Sequence, residues 1–428
     1  MKIQMAVASA MFAASSLVAA PVVSDVEMTQ DASRTVSITY KLKGESGIVT
    51  VDIQTNRGDG AWFSIGGKHL THFAGDANKL VQASDTETRK ITWKPRKAWP
   101  DNAVTENVKA VVSAWATNAP PDYMVVSLVA KKSVEFYTSA EAVPFGVSNE
   151  IYKTDYLVMR KIPAANVRWR MGSPAMPAET GRTGGREVPH LVTLDEDYYM
   201  GIYPVTQRQY ERMMDERPSN FNLNADYMTR PVEKVKWEAI RGTAAAGYDW
   251  PKNKHDVLST SFMGVLRTFT GVDGFDLPTD AQWEFACRAG VGSALYNGKE
   301  LDNTTTSANL APIARYKKNG GWVNGTTEPA ANCTAENGTA KVGSYEQNAW
   351  GLYDMLGNVY EWCLDWYVDS LAGVDPLTGP DSGEKRVRRG GSFYDDPSNS
   401  RCAYRMGSTP NDYGQTYGFR VACSVNLH

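Results

Sequence analysis

Between residues 36 and 53 the chain alternates with a period of two, and this pattern constrains its first third more than any other feature. Val36, Ile38, Tyr40 and Leu42 fall on one side, and Ser37, Thr39 and Lys41 on the other. After a break at Gly44-Glu45-Ser46-Gly47, Val49, Val51 and Ile53 resume the pattern. Only an extended chain puts every second side chain on one face, so the segment predicts two antiparallel strands with one face buried. Further strand candidates are Lys90–Lys94, Val108–Trp115, Tyr123–Val129 and Ser133–Tyr137, separated by clusters such as Trp99-Pro100-Asp101 and Ala119-Pro120-Pro121-Asp122. Five to seven short strands in about 115 residues predict a β-sandwich of immunoglobulin or fibronectin-III type over residues 22–140, a kind of domain that more often spaces or adheres than catalyses. His69 and His72 form a His-Leu-Thr-His pair without a third ligand at metal spacing, which reads better as loop histidines than as a zinc site.

Residues 1–20, MKIQMAVASAMFAASSLVAA, carry Lys2, an apolar run and a small-residue end at Val18, Ala19 and Ala20. They read as a secretory signal peptide. Ser15 and Ser16 interrupt the run, and no later stretch reaches the ~18 apolar residues of a membrane span, so no transmembrane anchor is expected in the mature chain. Export to the periplasm, cell surface or medium follows, with cysteines in an oxidising setting. The formal net charge of −3, from 45 Lys and Arg against 48 Asp and Glu, gives no electrostatic reason for a nucleic-acid partner.

From about Val143, past a linker over 141–160, alternation gives way to sequence rich in Trp, Gly and Asn with few helical stretches. Thr206 can cap a helix within Val205–Asp215, and Thr279-Asp280-Ala281-Gln282 is a capping-box start for Thr279–Arg288. Asn303–Ala340 reads as loop, and its Asn-X-Thr triplets at Asn303, Asn324, Asn332 and Asn337 are glycan acceptors or turn chemistry.

Within residues 161–428 a series of motifs runs in fixed order. Met171-Gly-Ser173, Glu187-Val-Pro-His190-Leu-Val-Thr-Leu194 and Tyr199-Met-Gly-Ile-Tyr-Pro-Val-Thr206-Gln207 come first. Pro231-Val-Glu-Lys-Val-Lys-Trp237 and Leu277-Pro-Thr-Asp-Ala-Gln-Trp283-Glu-Phe-Ala-Cys287-Arg-Ala-Gly290 follow. Gly351-Leu-Tyr-Asp-Met-Leu-Gly-Asn358-Val-Tyr-Glu361-Trp362, Arg389-Gly-Gly-Ser392-Phe and Gly418-Phe-Arg420 close the series. Over about residues 160–424 the chain resembles the formylglycine-generating enzyme, or sulfatase-modifying factor, family. The resemblance implies an α+β, C-type-lectin-like fold after the all-β sandwich. It also implies a structural Ca2+ held by Asp354, Gly357, Val359 and Glu361, two through side chains and two through carbonyls, as a hard cation prefers. Glu361 can alternatively be a buried acid bonded to backbone amides. A second calcium site of the family begins at Asn309 and Leu310, though its other ligands do not align here.

The resemblance also pairs Cys287 with Cys402 as a disulfide. A second family bridge lacks both partners, since Val421 stands at one position and no cysteine lies upstream of Leu277. Of Cys333, Cys363 and Cys423, two can pair, Cys363 with Cys423 first, leaving one free.

Family enzymes oxidise a substrate cysteine with oxygen and a Cu(I) ion held by two thiolates, a soft pair that selects this ion. Here the span after Gly-Gly-Ser392 reads Phe393-Tyr-Asp395-Asp396-Pro-Ser-Asn399-Ser400, with no cysteine. Ser392 and Asp395 stand at the family's active-site position, and no copper is expected. A related iron branch needs three histidines from an added helical domain. Only His190 and His255 lie within the module before His428.

The last 35 residues instead crowd Tyr394, Asp395, Asp396, Asn399, Tyr404, Asn411, Tyr413 and Tyr417, residue types that paratopes use. Lectin-like members of the family sometimes carry a C-terminal region varied by a retroelement; the enrichment here resembles that, and ordinary polar loops would look similar. The expectation is an exported, calcium-stabilised module that binds an extracellular protein or glycan. A formylglycine-type oxidase or derived protein-modifying enzyme is the alternative, and a purely structural envelope protein the third reading.

Overall fold

The computed structural model describes residues 20–425 except 57, 59, 177, 224, 321–336 and 372. The leader up to residue 19, Asn324, Asn332, Cys333 and His428 lie outside the described residues. The chain is β-rich, mixed α/β, and divides into two compact units. The first comprises residues up to 126 with 133–149 and 425, and the second comprises 150–424 with 127–132.

The first unit contains β1 (Val22–Gln30), β2 (Val36–Lys43), β3 (Gly47–Asn56), β4 (Trp62–Ser64), β5 (Phe73–Gly75), β6 (Lys79–Val81) and β7 (Arg89–Trp93). A short helix α1 (Pro95–Ala98) precedes β8 (Val108–Ala116), β9 (Tyr123–Ser127) and β10 (Val134–Tyr137). One sheet runs β1-β2-β7-β5; in the other, β3 pairs with β4, β6 and β8. The alternation of β2 is realised in its burial, with Val36, Ile38, Tyr40 and Leu42 fully buried. These residues form one apolar core with Val49, Val51 and Ile53 of β3, Trp93 of β7 and Val112 of β8. Tyr40 donates from this core to Asp76 at 3.0 Å and the half-buried Trp115 indole donates to Thr50 at 2.9 Å, whereas the Trp93 indole N–H is buried without a partner among the described residues. His69 Nδ1 lies 2.9 Å from the Ala98 carbonyl oxygen, in keeping with a loop histidine.

In the second unit β11 (Tyr156–Ile162), β12 (Arg168–Met171), β13 (His190–Thr193) and β14 (Tyr198–Gly201) lead into α2 (Gln207–Met214), α3 (Trp237–Arg241) and α4 (Phe262–Thr270). Then follow β15 (Phe275–Asp276), α5 (Asp280–Arg288), β16 (Tyr360–Trp366), β17 (Arg386–Arg389), β18 (Arg405–Ser408), β19 (Tyr417–Gly418) and β20 (Ala422–Ser424). One antiparallel sheet includes β11-β14-β20-β15, a ribbon joins β12 to β13, and a third sheet runs β18-β17-β16-β19 with β16 and β19 parallel. Both helix starts legible in the sequence are formed: Thr206 with Gln209 and Thr279 with Gln282 each close a reciprocal capping box.

Long loops leave many backbone carbonyls without a ladder partner, and in this unit buried arginines supply the donors. Arg420 donates to the carbonyls of Gly201 and Tyr353, each at 2.7 Å, and to Glu361 at 2.8 Å. Arg241 reaches Tyr248 and Lys254 carbonyls at 2.9 Å and pairs with Asp276 at 3.0 Å. Arg401 pairs with Glu187 at 2.6 Å, Arg386 with Asp249 at 2.7 Å, and Arg389 and Arg405 share Asp280. Each of these six guanidinium groups is almost wholly buried against a carboxylate, Asp280 serving two of them, which is what makes burying a charge tolerable.

Candidate functional site

Ser392 and Asp395 lie where β17 turns off the third sheet. Gly390 and Gly391 carry the chain through left-handed conformations, φ 92° and 75°. A Cβ at Gly391 would stand 2.5 Å from Ser400 Oγ and 2.7 Å from the Asn399 carbonyl, so glycine is required on both counts. The turn delivers Ser392, fully buried, against Asp395, and the two are hydrogen-bonded through Oγ and Oδ2. Asn399 donates to the other Asp395 oxygen at 2.9 Å and to Tyr360 Oη at 3.4 Å. Burial raises the Asp395 carboxyl above its ordinary value, while the Ser392 and Asn399 hydrogen bonds pull it partly back.

Tyr360 opens β16 beside Arg388 of β17. The Arg388 guanidinium carbon sits 4.5 Å from the centroid of the Tyr360 ring and 3.9 Å from that of Tyr417 on β19. Tyr417 Oη lies 3.4 Å from Ser408 Oγ, and Tyr404, buried, directs its hydroxyl at Met406 Sδ, 3.7 Å away. One side of the third sheet thus gathers Ser392, Asp395, Asn399, Tyr360, Arg388, Tyr417 and Ser408 in succession.

Of the residues read from the sequence as a binding face, Tyr404 is buried, and Asp395 and Asn399, half-buried, direct polar atoms at each other and at Ser392. Tyr394 and Tyr413 remain outward, 36% and 58% exposed, with Lys317 and Lys236 ammonium groups 5.9 and 5.2 Å from their ring centroids. Asn411 is exposed and Asp396 half-buried ahead of the 397–399 turn. Sequence reading missed Tyr360 and Arg388. The signal was present in Arg386-Val-Arg388-Arg389, whose strand alternation puts Arg386 and Arg388 on one face and Arg389 on the other.

Asp354, 2% exposed, lies in a left-handed conformation (φ 53°) and accepts from the Gly343 amide at 2.6 Å. Burial pushes its carboxyl up to about 6, and it forms no ion pair among the described residues. A buried carboxylate without a direct ion pair among the described residues, followed by the Gly357 and Val359 carbonyls, is a donor set that a hard cation could use, although the Arg420 charge already acts on it. Glu361 accepts from Arg420 and from the Trp283 indole at 2.6 Å, so a cation there would share it with Arg420. The Asn309 carbonyl accepts from Asn297 at 2.9 Å and the Leu310 carbonyl from Ile313 at 2.9 Å, so both oxygens are engaged within their own loop.

Cys287 and Cys402 face each other as buried thiols with sulfurs 3.6 Å apart, against the ~2.05 Å of a bond. Cys363 and Cys423 do not meet: Cys363 lies in β16 against the Glu361 carbonyl, whereas Cys423 lies in β20 against Gly274 and the Ser424 carbonyl. Their separation in two different sheets corrects the pairing expected between them. Among the described residues, no cysteine joins the Ser392 cluster, and no three His, Cys, Asp or Glu side chains converge as metal ligands.

Fold and cluster together define a loop-rich, mixed α/β module that carries a polar site on one sheet face. Residues 160–425 match the family model described as the sulfatase-modifying factor enzyme 1-like domain, and the chain belongs to this family. The formylglycine-generating enzyme of Mus musculus is 29% identical over 273 residues, 56% of this chain and 69% of that protein. The chaperone protein LppX of Paenibacillus barcinonensis is 30% identical over 259 residues, 54% of this chain and 82% of that protein. The serine/threonine-protein kinase pkn1 of Chlamydia pneumoniae is 29% identical over 247 residues, 56% of this chain. The match spans only 35% of that kinase's length.

Proposed function

We propose that this chain is an exported binding protein in which a sulfatase-modifying-factor module presents the Ser392–Tyr417 face to an extracellular protein. The single observation that carries the reading is the closure of Ser392, Asp395 and Asn399 on one another. At the position where family oxidases hold Cu(I) with thiolates, the polar capacity here is directed at neighbours, and the groups are hard oxygen donors unsuited to that ion. The exposed tyrosines flanking the cluster supply contact area at small entropic cost. The relative named a chaperone protein supports a protein over a glycan as ligand. The first unit serves in this reading as an immunoglobulin- or fibronectin-III-like stalk, supported by its two sheets around one core. Ca2+ at Asp354, Gly357 and Val359, with Glu361 shared, would stabilise the module, and a Cys287–Cys402 disulfide would add to it after export.

The test uses the full chain against surface-protein and glycan arrays, beside a Tyr394→Ala/Tyr413→Ala variant. Binding to a protein, lost in the variant at unchanged melting temperature, is the expected result. Stoichiometric Cu(I) binding with oxygen uptake on a cysteine peptide would overturn it in favour of the oxidase.

A further inference from the structure

Each of the six buried guanidinium groups described above holds a carboxylate; Arg388 does not. It is 3% exposed and makes no hydrogen bond or ion pair among the described residues, and its Nε and Nη1 atoms are buried without a partner. The Tyr360 and Tyr417 rings pack against the guanidinium, with centroids 4.5 and 3.9 Å from its central carbon and Trp362 5.8 Å away, so aromatic contact takes the place of a hydrogen-bond partner. Asp395, the carboxylate whose charge it feels, is engaged by Ser392 and Asn399 instead.

Resting on the ligand-face reading above, we propose that Arg388 is the anchor for the carboxylate of an acidic side chain in a bound peptide. A planar fork packed against aromatic rings, with Nε and Nη1 unpartnered, matches a planar two-oxygen anion along its edge, and such pairs are the stronger hydrogen bonds. The rim agrees in sign, because Lys317 beside Tyr394 and Lys236 beside Tyr413 add positive charge to the same face. A neutral sugar would need free acceptors for its hydroxyls, and those of Ser392, Asp395 and Asn399 are committed. Arg388 is only 3% exposed, so a carboxylate on the thin, flexible stem of a glutamate or aspartate reaches it with less displacement of its neighbours than one fixed to a sugar ring.

The experiment titrates the full chain, labelled with 15N, with the peptide acetyl-Gly-Glu-Gly-amide, with its Gln counterpart, and with glucuronate. Expected are a shift of the Arg388 Nε–Hε resonance by the Glu peptide and at least tenfold weaker binding of the Gln peptide. Arg388→Met should erase that preference while leaving the melting temperature unchanged or higher, since an unpaired buried charge has been replaced by a hydrophobe. Equal binding of both peptides, response to glucuronate alone, or a variant that keeps the Glu preference overturns the anchor. If array ligands still bind and Arg388→Met does not affect them, the face stands and the anchor falls. If neither peptides nor array ligands bind, the ligand-face reading falls with it.

Discussion

Arg420 offers the sharpest test of how the loops of the second unit are held. Its fork donates to both Glu361 oxygens, with contacts of 2.8–3.2 Å, and to the carbonyls of Gly201 and Tyr353 at 2.7 Å, all in a fully buried position. Arg420→Met keeps most of the volume and removes every donor. The Glu361 carboxylate is then left with the Trp283 indole alone, and breaking a buried pair in this way costs about 3–5 kcal/mol. Two orphaned carbonyls add about 1 kcal/mol or more, so a total near 4–6 kcal/mol is expected. Because removing one partner strands the other, Glu361→Gln in the same chain should recover about 2 kcal/mol, a non-additivity expected of residues in contact. Urea unfolding of the full chain, followed by tryptophan fluorescence, reads this as a fall in the midpoint of the transition of this unit by about 2 M. A single variant that loses less than about 1 kcal/mol, or a double variant at the sum of its singles, would refute the idea that this pair fastens the loops.

Other outcomes follow from the same geometry. Added Ca2+ should raise the melting temperature of the wild type, worth about 2.7 kcal/mol at a hundredfold excess over Kd, and should do nothing for Asp354→Ala; a wild type indifferent to Ca2+ would refute the cation site. Asp365, buried beside Asp280, has its carboxyl pushed up to about 7 by desolvation, with the Asp280 charge next in effect. Its folded form therefore keeps a proton that the unfolded chain releases near pH 4, so its contribution favours folding in acid and declines as pH rises from about 4 to 7. Asp365→Asn should remove that decline and gain on the order of 1–3 kcal/mol at pH 8 with no gain at pH 4, and a variant with an unchanged urea midpoint at pH 8 would count against it. Isolated from an oxidising compartment, the protein should show Cys287 and Cys402 joined by mass spectrometry, and reduction should cost about 3–5 kcal/mol for so long a loop; two free thiols there would refute the bridge.

Much of the architecture could be read from the sequence because it rests on local rules. Period-two alternation marked β2 and β3, and the Thr206 and Thr279 capping boxes marked the starts of α2 and α5 to the residue. Family membership was legible because motifs such as Leu277–Gly290 and Gly351–Trp362 keep their order. What escaped was long-range. No local signal says that Glu361 meets Arg420, 59 positions on, or that Cys363 and Cys423 fall in different sheets. Composition marked Asp395, Asn399 and Tyr404 as face residues, but only the fold past Gly390-Gly391 decides that Tyr404 is buried and that Asp395 and Asn399 bond to each other. Arg388 was passed over because its meaning lies in its missing partner, and a sequence records no partners.

The buried arginine pairs also bear on how freely this protein can change. The segment between Arg405 and Arg420 leaves the interior at one charged clasp and returns at another, Asp280 at the start and Glu361 at the end. Its outermost residues, Thr409 and Asn411 to Tyr413, are exposed and pin little besides their own turn. A substitution there reaches the core only through anchors that it does not touch. The rim can therefore drift, or be selected for new partners, with little loss of folding stability, while a change at Arg405 or Arg420 is penalised whatever the ligand.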